Sequence, residues 1–182
     1  MNASSCLPAV ELAAVVLAGG RGLRMGGADK GWVDYRGRPL IAWVLDTLTP
    51  QAADIAISAN RNLDRYAATG RRVLPDSLPD YPGPLAGVLT AMRAVEAPWL
   101  LVVPCDTPHL PGDLAVRLLA AAREAGAALA VAADDARTHP TCFVARTTLA
   151  DDLAAYLARG ERAVHRWQTA HQPAVVRFDA AA

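Results

Sequence analysis

The features that most constrain the fold are two mostly apolar runs, each followed by residues suited to chemistry. The first covers residues 10–18 and leads into a glycine-rich loop, and the second is "WLLVVPCD" at 99–106. A continuous apolar run such as the second is typical of a strand buried on both faces of a parallel sheet. The two runs therefore predict buried strands whose carboxyl ends lie at the edge of the sheet where a ligand is expected.

Helical and extended patterns alternate through the rest of the chain. Further strands are expected at 54–59, 127–132, 141–145 and 175–178, and helices at 40–48, 85–96, 147–158 and from Pro111 to about Gly126, with a small helix before Gly70. This alternation predicts a three-layer α/β fold with a mostly parallel sheet. A chain of 182 residues is expected to form a single domain, 1–182, with residues 1–10 as a loose N-terminal extension.

Charge and cysteine content exclude several classes of protein. Eighteen basic residues balance eighteen acidic ones, which argues against nucleic-acid or membrane partners. The three cysteines are far apart, without the spacing of a disulfide framework or zinc site. No basic residue precedes the first apolar run, and Glu11 interrupts it, so no signal peptide or membrane span is expected. These observations favour a cytoplasmic protein.

The loop "VVLAGGRGLRMGGADKG" indicates an anionic ligand. Glycines allow main-chain N–H groups to approach a ligand closely, and Arg24 and Lys30 can add charge-assisted hydrogen bonds to phosphates. Neither the P-loop pattern nor the dinucleotide pattern GxGxxG fits the loop. A solvated surface turn is the alternative.

Two aspartates follow apolar segments at positions where ligands bind in α/β sheets. Asp106 ends the second run, between Pro104 and Pro108, and can hold Mg²⁺, which prefers carboxylate oxygens, phosphates and water. Asp76 opens a proline-rich loop and can accept hydrogen bonds from a base or ribose. For both, a turn-capping carboxylate is the alternative.

Other chemically suggestive residues have simpler interpretations. His139 and His165 are isolated, without metal-ligand spacing. Cys105 is expected to be a buried thiol rather than a nucleophile, because no local base is evident. The four tryptophans, Trp32, Trp43, Trp99 and Trp167, are expected in the core.

Taken together, the motifs resemble the molybdenum cofactor guanylyltransferases, within the nucleotide-sugar-type nucleotidyltransferases. The resemblance covers nearly the whole chain and rests on five stretches in the family's order: "LAGGRGLRMGGADKG", "DSLPDYPGPLAGV", "PCDTPHLP", "HPT" and "GERAV". It implies a Rossmann-like nucleotidyltransferase fold, a cytoplasmic location, and Mg-dependent transfer of GMP from GTP to molybdenum-molybdopterin, with Mn²⁺ as a substitute metal. Molybdoenzyme apoproteins or their chaperones are implied as further partners.

The resemblance also implies a set of site residues. Nucleotide binding is expected from Leu17, Ala18, Gly19, Gly20, Lys30, Asp76 and Asp106. Asp106 is also the expected metal ligand. The interpretation assigns catalysis to Arg24, Lys30 and Asp106, which would offset charge on the leaving pyrophosphate.

Two departures from the family pattern keep alternatives open. Where many members have Asn-x-Asn, this chain has Ser58-Ala59-Asn60, so Ser58 receives no role and Asn60 is only a candidate in base recognition. The family pattern continues past the last strand into a Phe-x-Asn-x-Asn-Thr-Pro segment, which is missing after residue 179. A weakened enzyme or a nucleotide or cofactor carrier is therefore an alternative. A CTP-dependent cytidylyltransferase is another, although such enzymes tend to have Leu-Ala-Ala-Gly at positions 17–20.

Overall fold

The computed structural model describes residues 11–19, 29–76 and 83–179. Its helices are α1 (Leu40–Leu48), α2 (Leu63–Ala67), α3 (Pro84–Ala94), α4 (Leu114–Glu124), α5 (Ala150–Ala158) and α6 (Val164–Ala170). Its strands are β1 (Leu12–Leu17), β2 (Asp34–Tyr35), β3 (Arg38–Pro39), β4 (Asp54–Ser58), β5 (Arg72–Leu74), β6 (Trp99–Pro104), β7 (Leu129–Ala133), β8 (Thr138–Arg146) and β9 (Ala174–Arg177). The predicted extension 1–10 lies outside these residues.

The main sheet has seven strands in the order β5-β4-β1-β6-β8-β7-β9, and β2 and β3 form a separate hairpin. Strands β5, β4, β1 and β6 run parallel, as do β7 and β9, whereas β8 runs antiparallel to both its neighbours. The prediction of a mostly parallel α/β sheet is therefore confirmed. The two apolar runs are paired directly as β1 and β6, with Val15 opposite Val102.

Helices cover both faces of the sheet. Alternate residues of β1 point to opposite sides, because successive side chains of a strand face opposite ways. Leu12, Ala14 and Val16 pack with α1 and α4, and Ala13 and Val15 pack with α3, α5 and α6. Both central strands are thus buried on both faces, as their continuous apolar runs predict, and the three layers are confirmed.

The ends of several elements follow from local chemistry. Helix α3 begins at Pro84, whose fixed φ suits the first helical position, and the preceding Gly83 has a φ of 130° that side chains rarely adopt. The helix expected from Pro111 begins only at Leu114. Its N–H donates to the Pro111 carbonyl, so residues 111–113 form a turn.

Other short elements differ from the predictions. The helix expected at 147–158 begins as a 3₁₀ turn, Thr147–Leu149, and becomes α-helical at Ala150. The β2–β3 hairpin and α6 were not predicted, because two-residue strands and a seven-residue helix leave little periodic signal. No helix in the described part of the chain is long and apolar enough to cross a membrane.

Candidate active site

Four parallel strands bring the predicted site residues to one edge of the sheet. Their pairing continues beyond the strand ends, where the N–H groups of Ala18, Ala59 and Cys105 donate to the carbonyls of Ser58, Leu74 and Leu17 at 2.8–3.1 Å. The segments that follow β1, β4, β5 and β6 therefore leave the sheet side by side. Leu17, Ala18, Gly19, Asp76 and Asp106 lie at this carboxyl edge, where open α/β sheets bind ligands.

Lys30 and Asp106 meet directly at this edge. Lys30 lies in a one-turn 3₁₀ helix, Lys30–Trp32, and its Nζ donates to Asp106 Oδ2 at 2.9 Å. The two side chains are 49% and 37% exposed. An ion pair this exposed is worth no more than about 1 kcal/mol, so a phosphate and a cation can replace the two partners at little cost. The structure thus joins two of the three predicted catalytic residues.

Asp76 pairs with Asn60 on the other flank of β1. Asn60 Nδ2 donates to Asp76 Oδ2 at 2.7 Å, and the Asp76 N–H donates back to Asn60 Oδ1 at 2.8 Å. Partial burial raises the pKa of Asp76, and the hydrogen bond from Asn60 opposes that rise. The segment packs closely against Gly19, where an added Cβ would lie 3.4 Å from Asn60 Nδ2. Asp76 is thus held in a fixed orientation, which the sequence did not reveal.

Ser58 packs against α3 below this pair. It is 3% exposed, and a Cβ on Gly87 of α3 would overlap its Oγ. Glycine at position 87 therefore lets the helix approach the end of β4. This contact agrees with giving Ser58 no ligand role.

Among the residues for which the sequence suggested a simpler role, some predictions are confirmed and others are wrong. Cys105 is 4% exposed, and burial, aided by the charges of Asp106 and Asp29, raises the pKa of its thiol to about 12, so a buried thiol is confirmed. His139 is not isolated, because its Nε2 lies 2.8 Å from Asp134 Oδ2 across the β7–β8 turn. Asp134 lies five residues before His139, and the pairing of β7 with β8 brings the two side chains together. Trp99 and Trp167 are buried, whereas Trp32 and Trp43 are only partly buried.

Two predicted site residues, Arg24 and Gly20, lie outside the described residues, and one residue beside Lys30 was not predicted. Sequence reasoning missed Asp29, whose carboxylate contacts Gly31, Asn62 and Tyr66, although its place immediately before Lys30 was a usable signal. Among the described residues, no three histidine, cysteine, aspartate or glutamate side chains are grouped as a ready-made metal site.

Comparison with known proteins agrees with this geometry. Residues 14–174 match the model of a family described as the MobA-like NTP transferase domain. A molybdenum cofactor guanylyltransferase of Acidovorax ebreus is 48% identical over 93% of this chain and 85% of its own length. One from Burkholderia ambifaria is 49% identical over 96% and 89%.

This chain belongs to the molybdenum cofactor guanylyltransferase family. The predicted resemblance is thereby confirmed, and the chain is a nucleotidyltransferase with a MobA-like domain.

Solved structures support the fold of this guanylyltransferase-family chain. Molybdopterin-guanine dinucleotide biosynthesis protein A of Archaeoglobus fulgidus has a TM-score of 0.71 at 22% identity, covering 92% of this chain and 83% of its own. A Mycobacterium tuberculosis protein crystallised with manganese has a TM-score of 0.69 at 17% identity, covering 94% and 90%. A CMP-2-keto-3-deoxy-manno-octonic acid synthetase with bound CTP also scores 0.69, at 14% identity, covering 94% and 90%.

Proposed function

We propose that this protein transfers GMP from GTP to molybdenum-molybdopterin, forming the guanine dinucleotide form of the cofactor and pyrophosphate. The observation that carries the proposal is the meeting of Lys30 and Asp106 at the carboxyl edge of β1 and β6. The choice of substrates rests on the names of two relatives that are 48% and 49% identical to this chain.

The reaction balances without a protein nucleophile. An oxygen of the acceptor's terminal phosphate forms a bond to the α-phosphorus of GTP, and the bond from that phosphorus to the bridging oxygen breaks. Pyrophosphate leaves with the electron pair. The protein's contribution is then to position the two substrates and stabilise charge. The burial of the protonated Cys105 thiol fits this scheme.

Each predicted residue takes one part in this proposal. Lys30 and Arg24 bind the phosphate chain, and Leu17, Ala18, Gly19 and Gly20 contact the nucleotide. Because the Ala18 N–H already donates to the Ser58 carbonyl, main-chain N–H groups for the phosphates come from residues after Ala18. Asp76, oriented by Asn60, accepts hydrogen bonds from the guanine or the ribose. These roles agree with the carboxyl-edge location of the described residues among them.

Asp106 fits the requirements of a magnesium ligand. It offers an exposed carboxylate next to the expected phosphates, and Mg²⁺ typically takes one or two carboxylates plus substrate phosphates and water. When bound there, Mg²⁺ would neutralise phosphate charge, and Mn²⁺ can offer the same oxygen-preferring chemistry. The manganese-bound fold relative is in line with this choice.

Location and later partners remain predictions. A cytoplasmic location rests on the free thiols of Cys105 and Cys142, which suit a reducing compartment. Transfer of the product to molybdoenzyme apoproteins or their chaperones, and a single-domain organisation over 1–182, also remain predictions.

A competition assay tests the proposed reaction. Purified protein, Mg²⁺, molybdenum-loaded molybdopterin and equal GTP and CTP are incubated, and mass spectrometry identifies the dinucleotide. A guanine product is expected. A cytosine product would contradict the base assignment while leaving the chemistry intact. Bound GTP without product would instead support the weakened enzyme or the carrier.

A further inference from the structure

Asp29 is held by protein groups on three sides, although it directly precedes the proposed phosphate-binding Lys30. Its Oδ1 accepts hydrogen bonds from the Gly31 N–H at 3.3 Å and the Tyr66 hydroxyl at 2.5 Å. Its Oδ2 accepts one from Asn62 Nδ2 at 2.8 Å. Both carboxylate oxygens are therefore turned towards the protein.

Helix α2 and the residue before it supply most of these contacts. Tyr66 is fully buried. Burial is the main cause that raises the pKa of Tyr66, and the hydrogen bond to Asp29 adds to it. The hydroxyl therefore stays protonated and donates to Asp29. Asn62 adopts a left-handed conformation with φ 52°, which asparagine tolerates better than most residues with a side chain.

Helix α2 also contacts the two residues that follow Lys30. The Trp32 ring lies 5.2 Å from the Tyr66 ring, and the Arg65 guanidinium lies 4.0 Å above Trp32. A Cβ on Gly31 would stand only 2.5 Å from the Tyr66 hydroxyl, so glycine is required there while that hydroxyl is present. Lys30 is thus fixed from both sides through its backbone.

We propose that Asp29, Asn62 and Tyr66 form a positioning cluster, the Asp29 anchor, which aims Lys30 at Asp106 and binds neither metal nor substrate. The proposal rests on the proposed function for the role of Lys30. A long lysine side chain loses considerable rotamer freedom when it is held in one direction. Fixing the 3₁₀ turn beneath it limits that loss to the side chain alone.

A double-mutant cycle tests whether Asp29 acts through Lys30. We expect Asp29→Ala to lower kcat/KM for GTP by about 10- to 30-fold, since a misplacement of about 1 Å can cost up to about 100-fold. Lys30→Met should cost more, and the double variant should be no worse than Lys30→Met within about threefold. Costs that simply multiply in the double variant would show that Asp29 acts independently, and would overturn the proposal.

The conservative Asp29→Asn variant separates positioning from metal binding. Asparagine keeps an oxygen for Gly31 and Tyr66, and a flipped Asn62 amide can accept from its new NH2 group. Asp29→Asn should therefore recover most of the activity lost in Asp29→Ala. The Mg²⁺ concentration for half-maximal rate should stay unchanged in both. Equal damage from both variants, with a raised Mg²⁺ requirement, would identify Asp29 as a metal ligand. Asp34→Ala is the matched control, because the Asp34 side chain accepts a turn hydrogen bond from the Gly37 N–H within the separate β2–β3 hairpin.

A compensating pair tests the contact with Tyr66. Gly31→Ala should lower kcat/KM sharply, and adding Tyr66→Phe should restore part of it by removing the hydroxyl that the new Cβ meets. Gly112→Ala, which meets nothing within 4 Å, and Tyr156→Phe, which removes a hydroxyl bonded to the Ala163 carbonyl, are the controls. Thermal unfolding of every variant checks the fold. A double variant as poor as Gly31→Ala would contradict the arrangement.

Binding of inorganic tripolyphosphate with Mg²⁺, measured by calorimetry, distinguishes this proposal from the proposed function. If the wild type binds tripolyphosphate but makes no dinucleotide, the proposed function fails, and the same variants are compared by Kd with the same expected order. If the wild type neither binds nor reacts, both proposals fail. If the Kd for tripolyphosphate is unchanged in Asp29→Ala but raised in Lys30→Met, the Asp29 anchor is overturned and the proposed function is not.

Discussion

The two flanks of β1 hold their carboxylates in different ways. On the β6 side, Asp106 faces the charged Lys30, and both side chains are well exposed. On the β5 side, Asp76 faces the neutral Asn60, is half-buried, and has a raised pKa because of that burial. One flank therefore presents two opposite charges to solvent, and the other presents a single oriented acceptor.

This difference suggests a division of labour along one sheet edge. An exposed pair of opposite charges suits ligands that carry both signs, such as a metal-bound phosphate chain. A half-buried carboxylate fixed by an amide suits directional hydrogen bonds to neutral N–H or O–H groups, where geometry matters more than charge. The proposed nucleotide would then lie across β1, with its phosphates on the β6 flank and its base or ribose on the β5 flank.

The largest expected effect comes from breaking the charged flank. Asp106→Asn should lower kcat/KM by at least about 100-fold, close to 2.7 kcal/mol, because the proposed metal ligand is lost. Steady-state kinetics over a range of Mg²⁺ concentrations measures the loss. We expect added Mg²⁺ to recover part of the rate.

The chain provides a matched control for that variant. Asp54 and Arg72 form an equally exposed pair, also 2.9 Å long, where β4 and β5 begin, at the opposite edge of the sheet. Asp54→Asn should leave the rate unchanged and alter the free energy of unfolding by no more than about 1 kcal/mol. Similar kinetic losses in the two variants would mean that the carboxyl edge has no special role.

Breaking the second flank should have a smaller and more selective effect. Asp76→Asn should raise the KM for GTP by about 10- to 100-fold, since hydrogen bonds to a charged group are worth about 1.5–3 kcal/mol. If the carboxylate binds guanine, the preference for GTP over ITP, which lacks the 2-amino group, should shrink. An unchanged preference together with weaker discrimination against 2′-deoxy-GTP would assign Asp76 to the ribose.

The sequence predicted more of the charged flank than of the neutral one. Lys30 follows the glycine-rich loop after the first apolar run, and Asp106 ends the second run, so both were expected at the carboxyl edge of the sheet. The Asn60–Asp76 pair joins residues sixteen positions apart, and the Asp29 anchor joins Asp29 to residues more than thirty positions away. The first pair depends on the neighbouring ends of β4 and β5, and the anchor depends on how the five-residue helix α2 packs against residues 29–32, so local patterns could not reveal these contacts.

The support beneath the neutral flank can be weakened without substituting a proposed ligand. Gly87→Ala should lower the free energy of unfolding by about 1–3 kcal/mol, because the new methyl group meets Ser58 Oγ and, at 3.3 Å, Leu17 Cδ2. Adding Ser58→Ala should recover part of the loss in urea unfolding. Asn60 lies two residues beyond Ser58, so the KM for GTP should rise more than kcat falls. A larger change in the Mg²⁺ requirement would mean that the two flanks are not separable.

The smallest expected effect is a pH dependence confined to the neutral flank. Because burial raises the pKa of Asp76 above 3.8, acidification should protonate it earlier than an exposed aspartate and remove its acceptor. The Kd for GTP, measured by calorimetry, should therefore rise a few-fold on acidification in the wild type and less in Asp76→Asn. Titration of the GTP phosphates contributes equally to both proteins and cancels in the comparison.

On acidification, the free energy of unfolding should change in the direction opposite to the affinity for GTP. A carboxyl whose folded-state pKa is raised binds more protons in the folded than in the unfolded protein between the two values. Its contribution to the free energy of unfolding is therefore present at low pH and is lost as pH rises from about 3.8 through the raised pKa. Relative to Asp76→Asn, the wild type should gain stability on acidification in the range where its affinity for GTP falls. If relative stability instead falls on acidification, the folded-state pKa of Asp76 lies below its unfolded value, and the burial contrast between the two flanks is wrong.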